Sequence, residues 1–128
     1  MNTITSDVFD RSCVEIDLDA LSHNYEEIRR VTSPEAEIMA VVKADAYAHG
    51  AYEVAKTLLE NGATGLCIAT IDEAIHLRQS GITARLLILG GTDIARYADA
   101  IRYKVDLAVY DIESAKMLSD EAMKLNSK

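Results

Sequence analysis

The sequence predicts an α/β fold of parallel strand-then-helix units, and three observations carry that expectation. Four short aliphatic runs, Ile38 to Lys43, Gly65 to Thr70, Leu86 to Leu89 and Val105 to Tyr110, are apolar at nearly every position, the pattern of strands buried on both faces. Between and after them lie segments whose apolar residues recur at helical spacing. Short strands separated by helices cannot pair as hairpins, so they must join through crossovers into a parallel sheet.

Each helix carries its own signals. Ala51, Val54, Ala55, Leu58 and Leu59 form one stripe, and Asn61-Gly62 supplies the stop. Asp72 is expected to cap a helix bearing Ala74, Ile75 and Leu77 that ends before Gly81. Thr92 or Asp93 caps the next, with Ile94, Tyr97, Ala98 and Ile101 on one stripe. Asp111 caps the last, with Ala115, Leu118, Ala122 and Leu125. Ahead of the first unit, Cys13 to Leu18 alternates like a short strand. A helix follows it, with Leu21, Tyr25 and Ile28 on one face, closed off near Ser33-Pro34.

Composition excludes several partner classes. The net charge is -8, and Arg29-Arg30 is the one adjacent basic pair, so no positive stripe exists to follow a phosphate backbone or an anionic membrane. The opening MNTITSDVFD lacks the basic start and apolar run of a secretory signal, and no segment approaches the roughly 20 apolar residues of a membrane helix. Cys13 and Cys67 read as small buried hydrophobes, not as a disulfide or metal framework. A cytoplasmic protein with no nucleic-acid or membrane partner and no metal is expected. At 128 residues the chain suits one domain. Its pattern fits either an open doubly wound sheet or half of an eight-stranded TIM-type barrel of about 250 residues.

Lys43 is the residue with the clearest chemical prospect. It ends the first aliphatic run, after Met39, Ala40, Val41 and Val42, where parallel α/β proteins place their chemistry. An amine against an apolar floor loses hydration of its charged form, and the neutral amine forms Schiff bases with aldehydes. On spacing alone, a strand-end lysine that snorkels to solvent is the commoner case.

The run Ala40-Val41-Val42-Lys43-Ala44-Asp45-Ala46-Tyr47-Ala48-His49-Gly50 resembles the signature of the alanine racemases. Val14-Glu15-Ile16-Asp17-Leu18-Asp19-Ala20-Leu21 with Asn24 resembles the family's opening. Asp72-Glu73-Ala74, Leu77-Arg78 and Gly81-Ile82 resemble its second unit, and Leu87-Ile88-Leu89-Gly90 its third strand. The resemblance implies that residues 1–128 are the N-terminal portion of the racemase barrel domain, roughly the first half of a TIM-type barrel preceded by a short strand and helix. The rest of the barrel and a C-terminal β-domain would lie outside it.

The same resemblance implies a pyridoxal 5'-phosphate cofactor and racemisation of L- and D-alanine through a lysine aldimine and an α-carbanion, supplying D-alanine for peptidoglycan. It assigns Lys43 both the cofactor linkage and one racemising base. Tyr47 would donate a hydrogen bond to the cofactor phosphate, and Val41, Leu87 and Leu89 would line the wall beside it. The opposite base, a tyrosine of the partner subunit, and the arginines of later strands would lie beyond this sequence. The 128 residues alone are therefore expected to be inactive and to bind the cofactor weakly at best. Their outer strands, Ile38 to Lys43 and Val105 to Tyr110, would be open apolar edges, so a homodimer or other self-association is expected.

Two positions depart from the usual string: Asp45 stands where asparagine is common, and Ala48 where glycine is. His49 reads as structural, and His23 and His76 as partly exposed helix positions. Gly90-Gly91-Thr92-Asp93 reads as a loop with an ordinary cap, although such a run could cradle an anion. Asp72 and Glu73 are adjacent, so they are expected to cap and not to form a facing acid–base pair. A serine or broad-specificity amino-acid racemase of the same fold is the nearest alternative. A non-catalytic half-barrel module is another. An open nucleotide-binding domain would need a glycine-rich turn that Ala44-Asp45-Ala46 does not supply.

Overall fold

The aliphatic runs do pair, in parallel and in chain order β1-β2-β3-β4, in a computed structural model that describes residues 13–127. The strands are β1 (Met39–Val41), β2 (Gly65–Ile68), β3 (Arg85–Ile88) and β4 (Asp106–Leu107). Helix α1 (Leu18–Val31) precedes them, and a short helical segment α2 (Lys43–Ala48) leads from β1 into α3 (Ala51–Glu60). Helix α4 (Ile71–Gln79) joins β2 to β3. A 3-10 turn (Ile94–Arg96) and α5 (Tyr97–Arg102) join β3 to β4, and α6 (Ile112–Lys124) follows. No described helix is long and apolar enough to cross a membrane.

The strand register sorts the side chains onto two faces. Ala40, Leu66 and Leu86 stand in one row, and Ile68, Ile88 and Leu107 in the next. Leu66, Ile68, Leu86 and Ile88 are fully buried, in one core with Val54, Ala55 and Leu58 of α3, Ile71, Ala74 and Leu77 of α4 and Ala100 of α5. Burying each such aliphatic side chain contributes about 1.5–3 kcal/mol. The alternate residues, Val41, Cys67, Leu87 and Asp106, share the other face. There Val41 is 43% exposed and Leu89 39%. Strand β2 is buried at all four positions, as expected, whereas the residues of β1, β3 and β4 on this face are partly or fully exposed, so burial on both faces holds for β2 and is corrected for the other three. Gly65 lies on this open face, where a β-carbon would come within 2.8 Å of Met39 Cε and 3.0 Å of the Arg85 carbonyl; glycine lets the strands close there.

Several local expectations need revision. Cys13 to Asp17 form no strand, and Val14 is 85% exposed. An alternating segment becomes a strand only with a ladder partner, and the described sheet has none beside it. Asp17 instead caps α1, its Oδ1 accepting the Ala20 N–H at 2.9 Å. Cys13 is exposed, unlike the buried Cys67. Thr70, not Asp72, caps α4, while Asp93 caps the 3-10 turn and Asp111 caps α6 as expected. Ile28, Ile94 and Ala115 fall on the predicted stripes yet remain exposed. Helix α6 follows a two-residue edge strand and leans on α5 and the 3-10 turn, so none of its side chains is fully buried.

Arg78 closes the end of the sheet opposite Lys43. Its guanidinium donates to the carbonyls of Tyr103 at 2.9 Å, Ile82 at 2.8 Å, Ala84 at 2.7 Å and Lys104 at 2.9 Å. One planar fork so binds α4 to the entries of both β3 and β4, and burial draws its pKa down. Replacing Arg78 with alanine is expected to destabilise the fold by about 2–3 kcal/mol, because charge-assisted bonds are lost and carbonyls are left unpaired. Arg78→Lys should recover little of this, since an ammonium cannot reproduce the fork. Chemical denaturation of the variants measures both effects.

Candidate active site at the end of β1

The backbone after β1 does something that its composition does not announce. Ala44, Asp45, Ala46, Tyr47 and Ala48 all lie in the left-handed region, with φ of 52°, 54°, 51°, 56° and 66°. The segment α2 is therefore a left-handed turn built without glycine. L-residues avoid this conformation at a cost of ~1–2 kcal/mol each, and such strain concentrates at functional sites.

Surrounding contacts hold the turn in place. Ala46 is buried and faces the core. The Ala46 N–H donates to the Val42 carbonyl at 2.9 Å, and the Gly50 N–H to the Asp45 carbonyl at 3.0 Å. Asp45 Oδ1 accepts the Ala51 N–H at 2.7 Å, so this side chain serves the start of α3. Glu73 Oε1 accepts the Ala44 N–H at 2.8 Å across 29 residues of sequence. Behind the turn, on the helix side of the sheet, a pocket of about 210 Å³ is lined by Val42, Asp45, Ala51, Asp72, Glu73, His76 and Leu77.

Lys43 stands where β1 gives way to this turn. It is half-buried, and among the described residues it has no ion-pair partner. It lies two residues beyond Val41, past the end of β1; the pairing of Val41 with Cys67 and of Cys67 with Leu87 puts Val41 and Leu87 on the same face, with Leu89 just past the end of β3. Four of the five singled-out residues therefore gather at the same end of the sheet, Val41 and Leu87 within their strands and Lys43 and Leu89 just past the strand ends. The fifth, Tyr47, lies on the left-handed turn and is 58% exposed. His49 follows it, exposed, with Nδ1 3.0 Å from the Tyr47 carbonyl oxygen.

The neighbouring loops are braced by charge. Arg96 donates to Asp72 at 2.7 Å and to Asp99 at 2.9 Å, and the guanidinium holds the Asp72 carboxyl below the usual range. The Tyr110 hydroxyl donates to the Leu89 carbonyl, fixing the end of β3. Burial pushes the Cys67 thiol up, so the sulfur on the open face stays protonated and is a poor nucleophile. Among the described residues, no group of three or more His, Cys, Asp or Glu side chains could hold a metal ion.

Two elements of the site escaped the sequence reading. The left-handed run has no glycine or asparagine to signal it. The sequence offers Glu73 as a capping residue, and nothing in the Thr70-x-x-Glu73 spacing announces the bond to Ala44. The position of Ala48, with φ of 66°, explains why its β-carbon matters. Ala48→Gly is expected to stabilise the protein by roughly 0.5–1 kcal/mol by relieving that strain. A thermal or urea melt checks it, and a loss of stability would mean that the turn is not left-handed there.

A family model described as "Alanine racemase, N-terminal domain" matches residues 16–128. The chain is 53% identical over 114 residues to an alanine racemase of Clostridium perfringens (strain SM101 / Type A), covering 89% of this chain and 29% of that protein. It is 44% identical over 115 residues to alanine racemase 2 of Caldanaerobacter subterraneus subsp. tengcongensis, covering 90% and 30%. A solved alanine racemase of Clostridium difficile 630 superposes with a TM-score of 0.85 at 40% identity, over 87% of this chain and 30% of that one. A histidine racemase of Leuconostoc mesenteroides subsp. sake does so with a TM-score of 0.77 at 34% identity, over 84% and 29%. The chain thus spans about 30% of the length of these relatives.

Proposed function

Since the chain belongs to the alanine racemase family through its N-terminal domain, we propose that it supplies the lysine side of a pyridoxal-phosphate-dependent alanine racemase. One observation carries the reading: a half-buried lysine, without an ion-pair partner among the described residues, stands at the end of β1 close in sequence to Val41 and directly before a strained turn. These residues fit the cofactor. Lys43 would hold it through its amine, Val41, Leu87 and Leu89 offer an apolar wall for a planar ring, and the exposed Tyr47 hydroxyl is a donor for a phosphate. When bound, pyridoxal phosphate supplies an electron sink for charge at the substrate α-carbon.

The residues of this chain then have definite tasks. Lys43 Nζ takes or returns the α-proton on one face of the substrate, as a general base or acid. The aliphatic wall keeps water from that face. Inverting a stereocentre also needs proton transfer on the opposite face, so a second group must complement Lys43. We assign that group to a part of the protein beyond the residues 13–127 described, consistent with relatives about three times as long. On this reading residues 1–128 are the N-terminal portion of a barrel domain, inactive by themselves. The complete protein works in the cytoplasm and makes D-alanine for peptidoglycan. A histidine racemase that shares this portion of the fold makes the substrate side chain a separate question. Assays with alanine, serine and histidine as substrates answer it.

Reductive trapping tests the lysine assignment. The chain is incubated with pyridoxal phosphate, reduced with borohydride and mapped by mass spectrometry. The phosphopyridoxyl group is expected on Lys43 in preference to the other lysines, and Lys43→Ala should lose it. Tyr47→Phe should weaken retention about tenfold, the worth of one hydrogen bond to a charged group. Trapping spread evenly over the lysines would overturn the assignment.

The strands β1 and β4 form the two edges of the described sheet. We expect them to drive self-association of this chain, since open strand edges pair readily. Sedimentation velocity at micromolar concentration checks this, and a persistent monomer counts against it.

A further inference from the structure

We propose that Glu73 is a positioning residue for Lys43, a role that rests on the functional reading above. A capping-box glutamate needs its carboxylate only for the backbone at the start of its own helix. Glu73 meets that need with Oε2, which accepts the Ala69 N–H at 2.7 Å and the Thr70 N–H at 3.2 Å. Its own N–H donates to Thr70 Oγ1 at 3.3 Å. Oε1 remains, and it reaches the β1–α2 connection to accept the Ala44 N–H at 2.8 Å.

That N–H belongs to the peptide joining Lys43 to Ala44. Val42 still has a negative φ of -122°, while Ala44 is already left-handed at 52°, so the backbone changes hand across Lys43. The orientation of this peptide therefore decides how the lysine leaves the strand. Left to itself, the peptide would relax toward the right-handed basin and change the direction in which the chain, and Lys43 with it, leaves the end of β1. A carboxylate anchored at its other oxygen to the end of β2 is a stiff support for it. Glu73 links the lysine to the next strand-end loop without touching the substrate.

The experiment separates this role from plain helix capping. The full chain is treated with pyridoxal phosphate and cyanoborohydride, and the labelling rates of Lys43 and of the exposed Lys116 are followed by mass spectrometry. Amide exchange at Ala44 is measured in parallel. Glu73→Gln retains one acceptor oxygen and cannot serve both loops. It is expected to slow Lys43 labelling about tenfold and to speed Ala44 exchange by a similar factor, with Lys116 unchanged, as for loss of one charge-assisted bond. Thr70→Val removes the other half of the capping box while leaving the carboxylate bonds in place, and Lys43 labelling should stay within about twofold of the parent, since only the cap is altered.

Equal labelling of Lys43 in the parent and in Glu73→Gln would overturn the proposal, as would equal slowing by Thr70→Val. Should Glu73→Gln unfold, Ala44 exchange in the parent chain decides: exchange as fast as at an unbonded loop amide overturns the proposal, and strong protection upholds it. Failure of the parent itself to label at Lys43 would instead sink the functional reading, so the two failures are distinguishable.

Discussion

Five consecutive L-residues between Lys43 and His49 sit in a conformation that each would leave if released. The rest of the site depends on their being kept there. Burial of Ala46, the Asp45 bond to Ala51 and the Glu73 bond to Ala44 each act on a different part of the turn: its middle, its exit and its entrance. None alone matches a strain of ~1–2 kcal/mol per residue over the whole turn, so the conformation is a property of the assembled core. The lysine gains a fixed departure from β1 as a result.

The division of the sheet into two faces follows from strand alternation and nothing subtler. In β1 Met39 and Val41 look away from the helices, while Ala40, and the buried Val42 just after the strand, look toward them. Burial on the helix side supplies the folding energy, and that leaves the other side free for chemistry. The braces at the two ends of the strands differ accordingly. Arg78 gathers backbone carbonyls at the end remote from Lys43, while Glu73, Asp72 and Arg96 hold the loops at the lysine end.

Strand order and helix identity were readable because aliphatic runs and helical stripes are local in sequence, and parallel crossovers admit few arrangements. The shared face of Val41 and Leu87 was also within reach, since alternation needs only the register. What could not be read depends on neighbours distant in sequence. Cys13 to Asp17 alternates convincingly, yet an alternating segment without a partner forms no ladder. The predicted stripes of the last two helices count as apolar in sequence, but Ile94, in the 3-10 turn, and Ala115 of α6 stay exposed near a two-residue edge strand. The bond from Glu73 to Ala44 crosses 29 residues and leaves no periodic trace.

The two departures from the family's usual string act on the turn in opposite senses. Asparagine and aspartate both tolerate the left-handed region better than other side chains, so Asp45 loses nothing by its geometry. Its charge would trouble a phosphate only if it pointed toward the open face. The carboxylate instead faces the first amide of α3, where the helix dipole favours an anion. Ala48 has no such compensation: a β-carbon at φ of 66° adds strain, and the Ala48 side chain is exposed. Asp45 thus takes up at the exit of the turn part of what Ala48 costs just before it. The lysine end of β1 can therefore carry both substitutions, because neither alters the strand that brings Lys43 to this end of the sheet.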